Sequence, residues 1–185
     1  MVTTISSTTA TTTWKIDPAH SAAEFKVKHM MISNVKGSLA GISGVLTENI
    51  ADPTGSAVEA SIDISTLSTG DAQRDGHLKS ADFFDAEKFP TMTFKSNSVK
   101  RIDDGEYAVT GNLTIHGATK SVAFKVEGPS APGKDPWGNT RIAASATTKI
   151  NRKDFGLTWN AALETGGILV GDEVTITLDV EFVKA

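Results

Sequence analysis

Residues 73–90 read QRDGHLKSADFFDAEKFP, which gathers Arg74, Asp75 and His77 within four positions ahead of Phe83 and Phe84. An imidazole beside a carboxylate is suited to general acid–base work. An arginine next to them could hold an anionic headgroup, and a phenylalanine pair could wall an apolar pocket. The plainer alternative is a short helix with a solvated charged side and a Phe pair that plugs a core. Burying Arg74 unpaired would cost several kcal/mol, so a buried Arg74 requires a carboxylate or an anionic ligand.

Other chemistry-bearing residues are sparse. The four histidines are His20, His29, His77 and His116, with no HExxH spacing and no obvious third zinc ligand. His20 follows Asp17-Pro18 and reads as a residue that orients a strand entry; His116 sits in a turn, IHGATK, and reads as a surface residue. His29 falls on the apolar side of an alternating run, where a hydrogen-bonded core histidine is the expectation. Asp154-Phe155-Gly156 has the letters of a kinase magnesium motif, but a glycine-rich phosphate loop and an HRD loop are missing. There is no GxSxG elbow and no dinucleotide fingerprint. The chain has no cysteine, which excludes thiol catalysis, disulfides and zinc–thiolate sites. No metal site and no catalytic set is expected.

The elements that must position these residues are strands. In HSAAEFKVKH, Ala23, Phe25, Val27 and His29 share one face and Glu24, Lys26 and Lys28 the other. EVTITLDVEFV repeats the pattern, with Val174, Ile176, Leu178, Val180 and Phe182 on one side. A period of two marks half-buried antiparallel strands. Similar runs occupy 58–64, 92–98, 107–115, 122–126 and 142–150, separated by turn sequences such as ADPTG and DDG. The expected fold is all-β, a sandwich or an up-and-down barrel of about eight strands with one helix-bearing crossover. Small residues at inward positions (Ala60, Gly111, Ala144, Ala146, Thr148) favour an enclosed cavity. The break in alternation predicts a helix over 71–80, with Ser68 and Asp71 as a weak capping signal and Asp75–Lys79 as an i,i+4 pair.

Composition is that of a globular domain, with 39% hydrophobic and 22% charged residues and a net charge of −4. Without a basic cluster, nucleic acid is not an expected partner. No run reaches the length of a membrane-spanning helix. Residues 1–13 (MVTTISSTTATTT) have little to bury and are expected to form a disordered leader before a domain at 14–185. They lack a secretory signal pattern, which points to a cytoplasmic protein.

In combination and in order, DPAHS, GHLKSADFFD, FPTMTFKS, GNLTIHGATK and RKDFG closely resemble the YceI-like family, over about Trp14 to Val183. The resemblance implies an extended, lipocalin-like antiparallel β-barrel around an apolar tube. It also implies a long isoprenoid (an isoprenoid quinone among them) or another acyl-like lipid as ligand, with no other cofactor. A role in carriage or storage, frequent homodimers and frequent export to the periplasm come with it. The expected tube lining is Phe25, Val27, Leu39, Phe94, Leu113 and Ile115. Phe83 and Phe84 would close or line the tube, with His29, Leu78 and Phe155 in the same ligand-binding set. Arg74, Asp75 and His77 would anchor the helix or meet a polar headgroup. Two other readings stay open: an enzyme on a lipid-like substrate using His77 or His29, and a filled barrel serving as an interaction module.

Overall fold

The computed structural model describes residues 10–185. Eleven strands are assigned among them: β1 (Thr11–Ile16), β2 (Ala22–His29), β3 (Ser33–Leu39), β4 (Ile42–Asn49), β5 (Ala57–Asp63), β6 (Thr91–Asp103), β7 (Glu106–Ile115), β8 (Ala118–Glu127), β9 (Gly133–Lys134), β10 (Thr140–Asn151) and β11 (Val170–Lys184). One α-helix, α1 (Ala72–Lys79), lies between β5 and β6. The pairing order β11-β1-β4-β5-β6-β7-β8-β10 closes on itself because β10 pairs with β11 from Arg141↔Val183 to Asn151↔Glu173. The result is the expected closed antiparallel barrel, with alternating side chains in and out along each strand.

The long strand β11 makes the barrel extended. Its far end pairs with β1 (Phe182 opposite Ile16), and its first part pairs with β2 (Ile176 opposite Phe25). Strands β1 and β2 are thus two successive stretches on one edge of β11, joined by a 3-10 turn at Pro18–His20. The β2–β3 hairpin lengthens the wall at the α1 end. Ser38 and Ser68 exchange backbone hydrogen bonds of 2.8 and 2.9 Å, which ties β3 to the segment leading into α1.

Buried side chains form three groups around the interior. Trp14, Ile16, Ile42, Ile142 and Phe182 pack at the β1 end. Ala23, Leu39, Ile64 and Leu67 pack beneath α1. Leu113, Ile115, Phe155 and Leu157 pack where β7 meets a 3-10 turn at Arg152–Phe155.

Several expectations need correction. Strand β1 starts at Thr11, three residues inside the expected leader, because Thr11, Thr12 and Thr13 pair with Asn49, Glu48 and Thr47. The rest of the expected leader, residues 1–9, lies outside the described residues. The helix is N-capped by Asp71, whose carboxylate accepts from the Arg74 N–H at 2.9 Å, and not by Ser68. Asp75 does not pair with Lys79. Its Oδ1 accepts from the Thr69 N–H and hydroxyl at 2.7 and 2.6 Å, while Lys79 donates to the Ser65 carbonyl.

Candidate functional site

The barrel encloses a cavity of about 530 Å³ that runs from α1 to the β6–β7 turn. Such a volume falls in the range of small-molecule sites, about 300–1,000 Å³. Along its length the wall is apolar, with Ile42, Ile62, Val109, Phe124, Ile176 and Leu178 prominent among its residues. Ala60, Ala144 and Ala146 face it and supply width. Gly111 and Thr148, expected beside them, supply none. A Cβ at Gly111 would collide with the Phe94 ring and the β6 backbone, and Thr148 donates to the Ala123 carbonyl at 2.8 Å.

Of the ligand-binding residues expected from sequence, the structure puts Phe25, Val27, Leu39, Leu78, Phe83, Phe84, Phe94, Leu113 and Ile115 in the cavity wall. It does not bring His29, Arg74, His77 or Phe155 there. Phe155 is 1% exposed and is packed behind the wall against Leu113, Ile115 and Leu157. His29 ends β2 opposite Ser33 and Val170. Arg74 is exposed and turns back along its own segment, donating to the Thr69 hydroxyl at 2.8 Å and the Thr69 carbonyl at 3.3 Å. Asp75 grips the same threonine, and that hydrogen bonding holds its carboxyl below the ordinary value. His77 Nε2 lies 2.9 Å from Asp82, and its ring stands edge-on to Phe83 and Trp159 at 5.1 and 4.8 Å. The polar triplet therefore secures α1 from outside, while the Phe pair beside it reaches the cavity.

Arg152 and Glu48, two of the charged residues in the wall, were not foreseen. Arg152 is 3% exposed and lies at the α1 end. Its guanidinium donates to the carbonyls of Leu157 (2.6 Å), Trp159 (2.9 Å), Gly171 (2.8 Å) and Val170 (3.3 Å). Asp172 lies 3.5 Å from this guanidinium and also pairs with the Lys153 ammonium at 2.9 Å. Burial pushes the Arg152 guanidinium below its ordinary pKa, opposed by Asp172, and an arginine remains cationic throughout. At the β1 end, Glu48 accepts from the Trp14 indole N–H at 2.7 Å, and Ser56, Asp104 and Tyr107 also border the space. Both charged residues carry a sequence signal: Arg152 continues the inward parity of Ile142, Ala144, Ala146 and Ile150, and Glu48 that of Ile42 and Leu46.

Among the described residues, the grouping nearest to a metal centre is Asp17, His20 and Glu181. Arg141 Nη1 already lies 2.6 Å from each of the two carboxylates, so a fixed cation fills the role an ion would have. That contact, with His20 second, lowers the Asp17 carboxyl to about 2.

Comparison with known proteins agrees with this architecture. A UPF0312 protein of Staphylococcus aureus (strain N315) is 37% identical over 172 residues, 92% of this chain and 97% of its own. The Campylobacter jejuni YCEI protein superposes with a TM-score of 0.71 at 32% identity, over 86% of this chain and 91% of that one. Burkholderia cenocepacia BcnA has the same fold, with a TM-score of 0.76 at 23% identity over 90% and 98%. So has a polyisoprenoid binding domain from Saccharophagus degradans implicated in plant cell wall breakdown, with a TM-score of 0.67 at 16% identity over 93% and 98%. The YceI-like domain model matches residues 14–182, and the chain belongs to that family.

Proposed function

We propose that this protein binds one long-chain amphiphilic lipid of the isoprenoid kind within the barrel and acts as its carrier or store. The observation that carries the reading is the continuous apolar cavity from Phe83 and Phe84 at one end to Tyr107 at the other. Each buried methylene contributes about 0.8 kcal/mol, so a five-carbon unit contributes roughly 3–4 kcal/mol before losses. Several units offset an association cost of about 4–15 kcal/mol without any polar contact. The S. degradans neighbour, a polyisoprenoid binding domain by description, supports the ligand class by likeness of fold.

The enzymatic alternative loses the residues it named, since neither His29 nor His77 borders the cavity. The filled-barrel alternative conflicts with the open volume. Extraction of the purified protein with organic solvent, followed by mass spectrometry, tests the proposal. A long-chain isoprenoid or related lipid in near-stoichiometric amount is the expected result. A protein that carries no lipid and takes none up on incubation with polyisoprenols would overturn it.

A further inference from the structure

The β2–β3 hairpin ends in three consecutive large apolar residues. Met30, Met31 and Ile32 are 41%, 59% and 80% exposed. The turn has φ of 51° at Met30 and 63° at Met31, closed by the Ile32 N–H donating to the His29 carbonyl at 3.2 Å. Two positive φ values in succession define the hairpin turn that favours Asn-Gly, because side chains with a Cβ are strained there. Two methionines at this turn carry a conformational penalty and bury little in return.

The stem beneath the tip is basic. Lys26, Lys28 and Lys36 are exposed on its outer face, and Lys26 lies directly opposite Lys36. Like charges at directly opposed positions repel. A lysine on the edge strand β3 discourages edge pairing, but Lys26 and Lys28 are on β2, which is flanked on both sides and has no such need. Glu24 is the one carboxylate of the hairpin, exposed on the same face against three lysines, and the β11 carboxylates beside them are already taken, Asp172 by Arg152 and Lys153 and Glu173 by Lys149. Of the other exposed large apolar residues, Ile50, Ile102 and Trp137 have acidic sequence neighbours in Asp52, Asp103 and Asp135.

We propose that the β2–β3 hairpin is a docking element for an anionic lipid surface, its Met30-Met31-Ile32 tip entering the interface while Lys26, Lys28 and Lys36 meet the headgroups. An apolar tip ringed by cations matches a bilayer, whose acyl boundary takes the former and whose anionic headgroups take the latter. Docking also sets the α1 end of the barrel against the bilayer, since Val27 and Val170, close to the tip, line the cavity. Its use in loading or unloading rests on the lipid-binding reading; the docking itself does not.

Flotation with vesicles of phosphatidylcholine, with and without phosphatidylglycerol, tests the proposal on the full chain. Wild-type protein should float with the anionic vesicles and be released by high salt. Each Lys→Gln change at 26, 28 or 36 should weaken partition about five-fold, from roughly 1 kcal/mol per cation near the surface. Met31→Ser with Ile32→Ser should abolish flotation, whereas Ile102→Ser with Trp137→Ser should not affect it. Met30→Asn with Met31→Gly should also abolish flotation while improving turn geometry, so unfolding cannot explain the loss. Flotation unchanged in the tip and lysine variants would overturn the proposal. So would equal binding to neutral vesicles, or a dimer in solution that the tip variants dissociate without any vesicle binding. Parallel lipid extraction separates the two claims, because a protein that floats yet carries no lipid fails only as a carrier.

Discussion

Ala146 faces the cavity from the middle of β10, opposite Leu178 on one side and Val126 on the other, both wall residues. Replacing it with phenylalanine directs a ring into the tube. A cavity of about 150 Å³ accommodates benzene, and the tube holds about 530 Å³. The ring therefore fits in the empty protein, and its burial should leave stability unchanged or raise it, by at most about 1.5–3 kcal/mol. Bound chain must give up comparable space, near one five-carbon unit, at a cost of roughly 3–4 kcal/mol or more than 100-fold in affinity. Urea denaturation of lipid-free protein gives the first quantity, and fluorescence titration with a long polyisoprenol gives the second. The reasoning fails if Ala146→Phe destabilises by the roughly 1–3 kcal/mol of an overpacked core while uptake is unaffected.

Arg152→Met should cost about 3–5 kcal/mol in urea denaturation, because it leaves four backbone carbonyls at the α1 end without their donor and Asp172 with Lys153 alone; a loss below about 1 kcal/mol would contradict the tie. Phe155→Ala should cost roughly 3–5 kcal/mol of stability with little change in lipid affinity, whereas Phe84→Ala should measurably weaken binding, both read on the same preparations. The Asp17 carboxyl, lowered from 3.8 to about 2 by Arg141, contributes stability above pH 4 that is lost as pH falls toward 2. Side-chain exposure of 15% leaves that contribution at about 1–2 kcal/mol. Thermal melts across that window should show the decline, and Arg141→Gln should flatten it.

Much of the fold was legible because half-buried strands record their orientation in alternation, and β11 does so over most of its length. Strands β3 and β4 escaped that reading. Gly37 stands where a Cβ would collide with the Phe25 ring, and Gly44 where it would collide with the β5 backbone. Close approach of this kind replaces an inward apolar residue with a glycine, and the period disappears. At the site, apolar wall residues were readable from the same alternation and from the family motifs. Of the two roles open to the polar triplet, anchoring of the helix is the one the structure shows. Sequence could not choose it because Arg74 and Asp75 are satisfied by the backbone and hydroxyl of Thr69, which look neutral in sequence, while His77 is taken up by Asp82. Local pattern identifies which residues need partners; it does not say where the partners lie.

The most direct test of lipid binding in the tube is affinity measured along a homologous series of isoprenoid alcohols of increasing length. Dissociation constants should fall by at least roughly ten-fold with each added five-carbon unit until the chain spans the space between Phe84 and Tyr107, and then level off. Affinity independent of chain length, or still rising for chains much longer than the tube, would contradict an enclosed site.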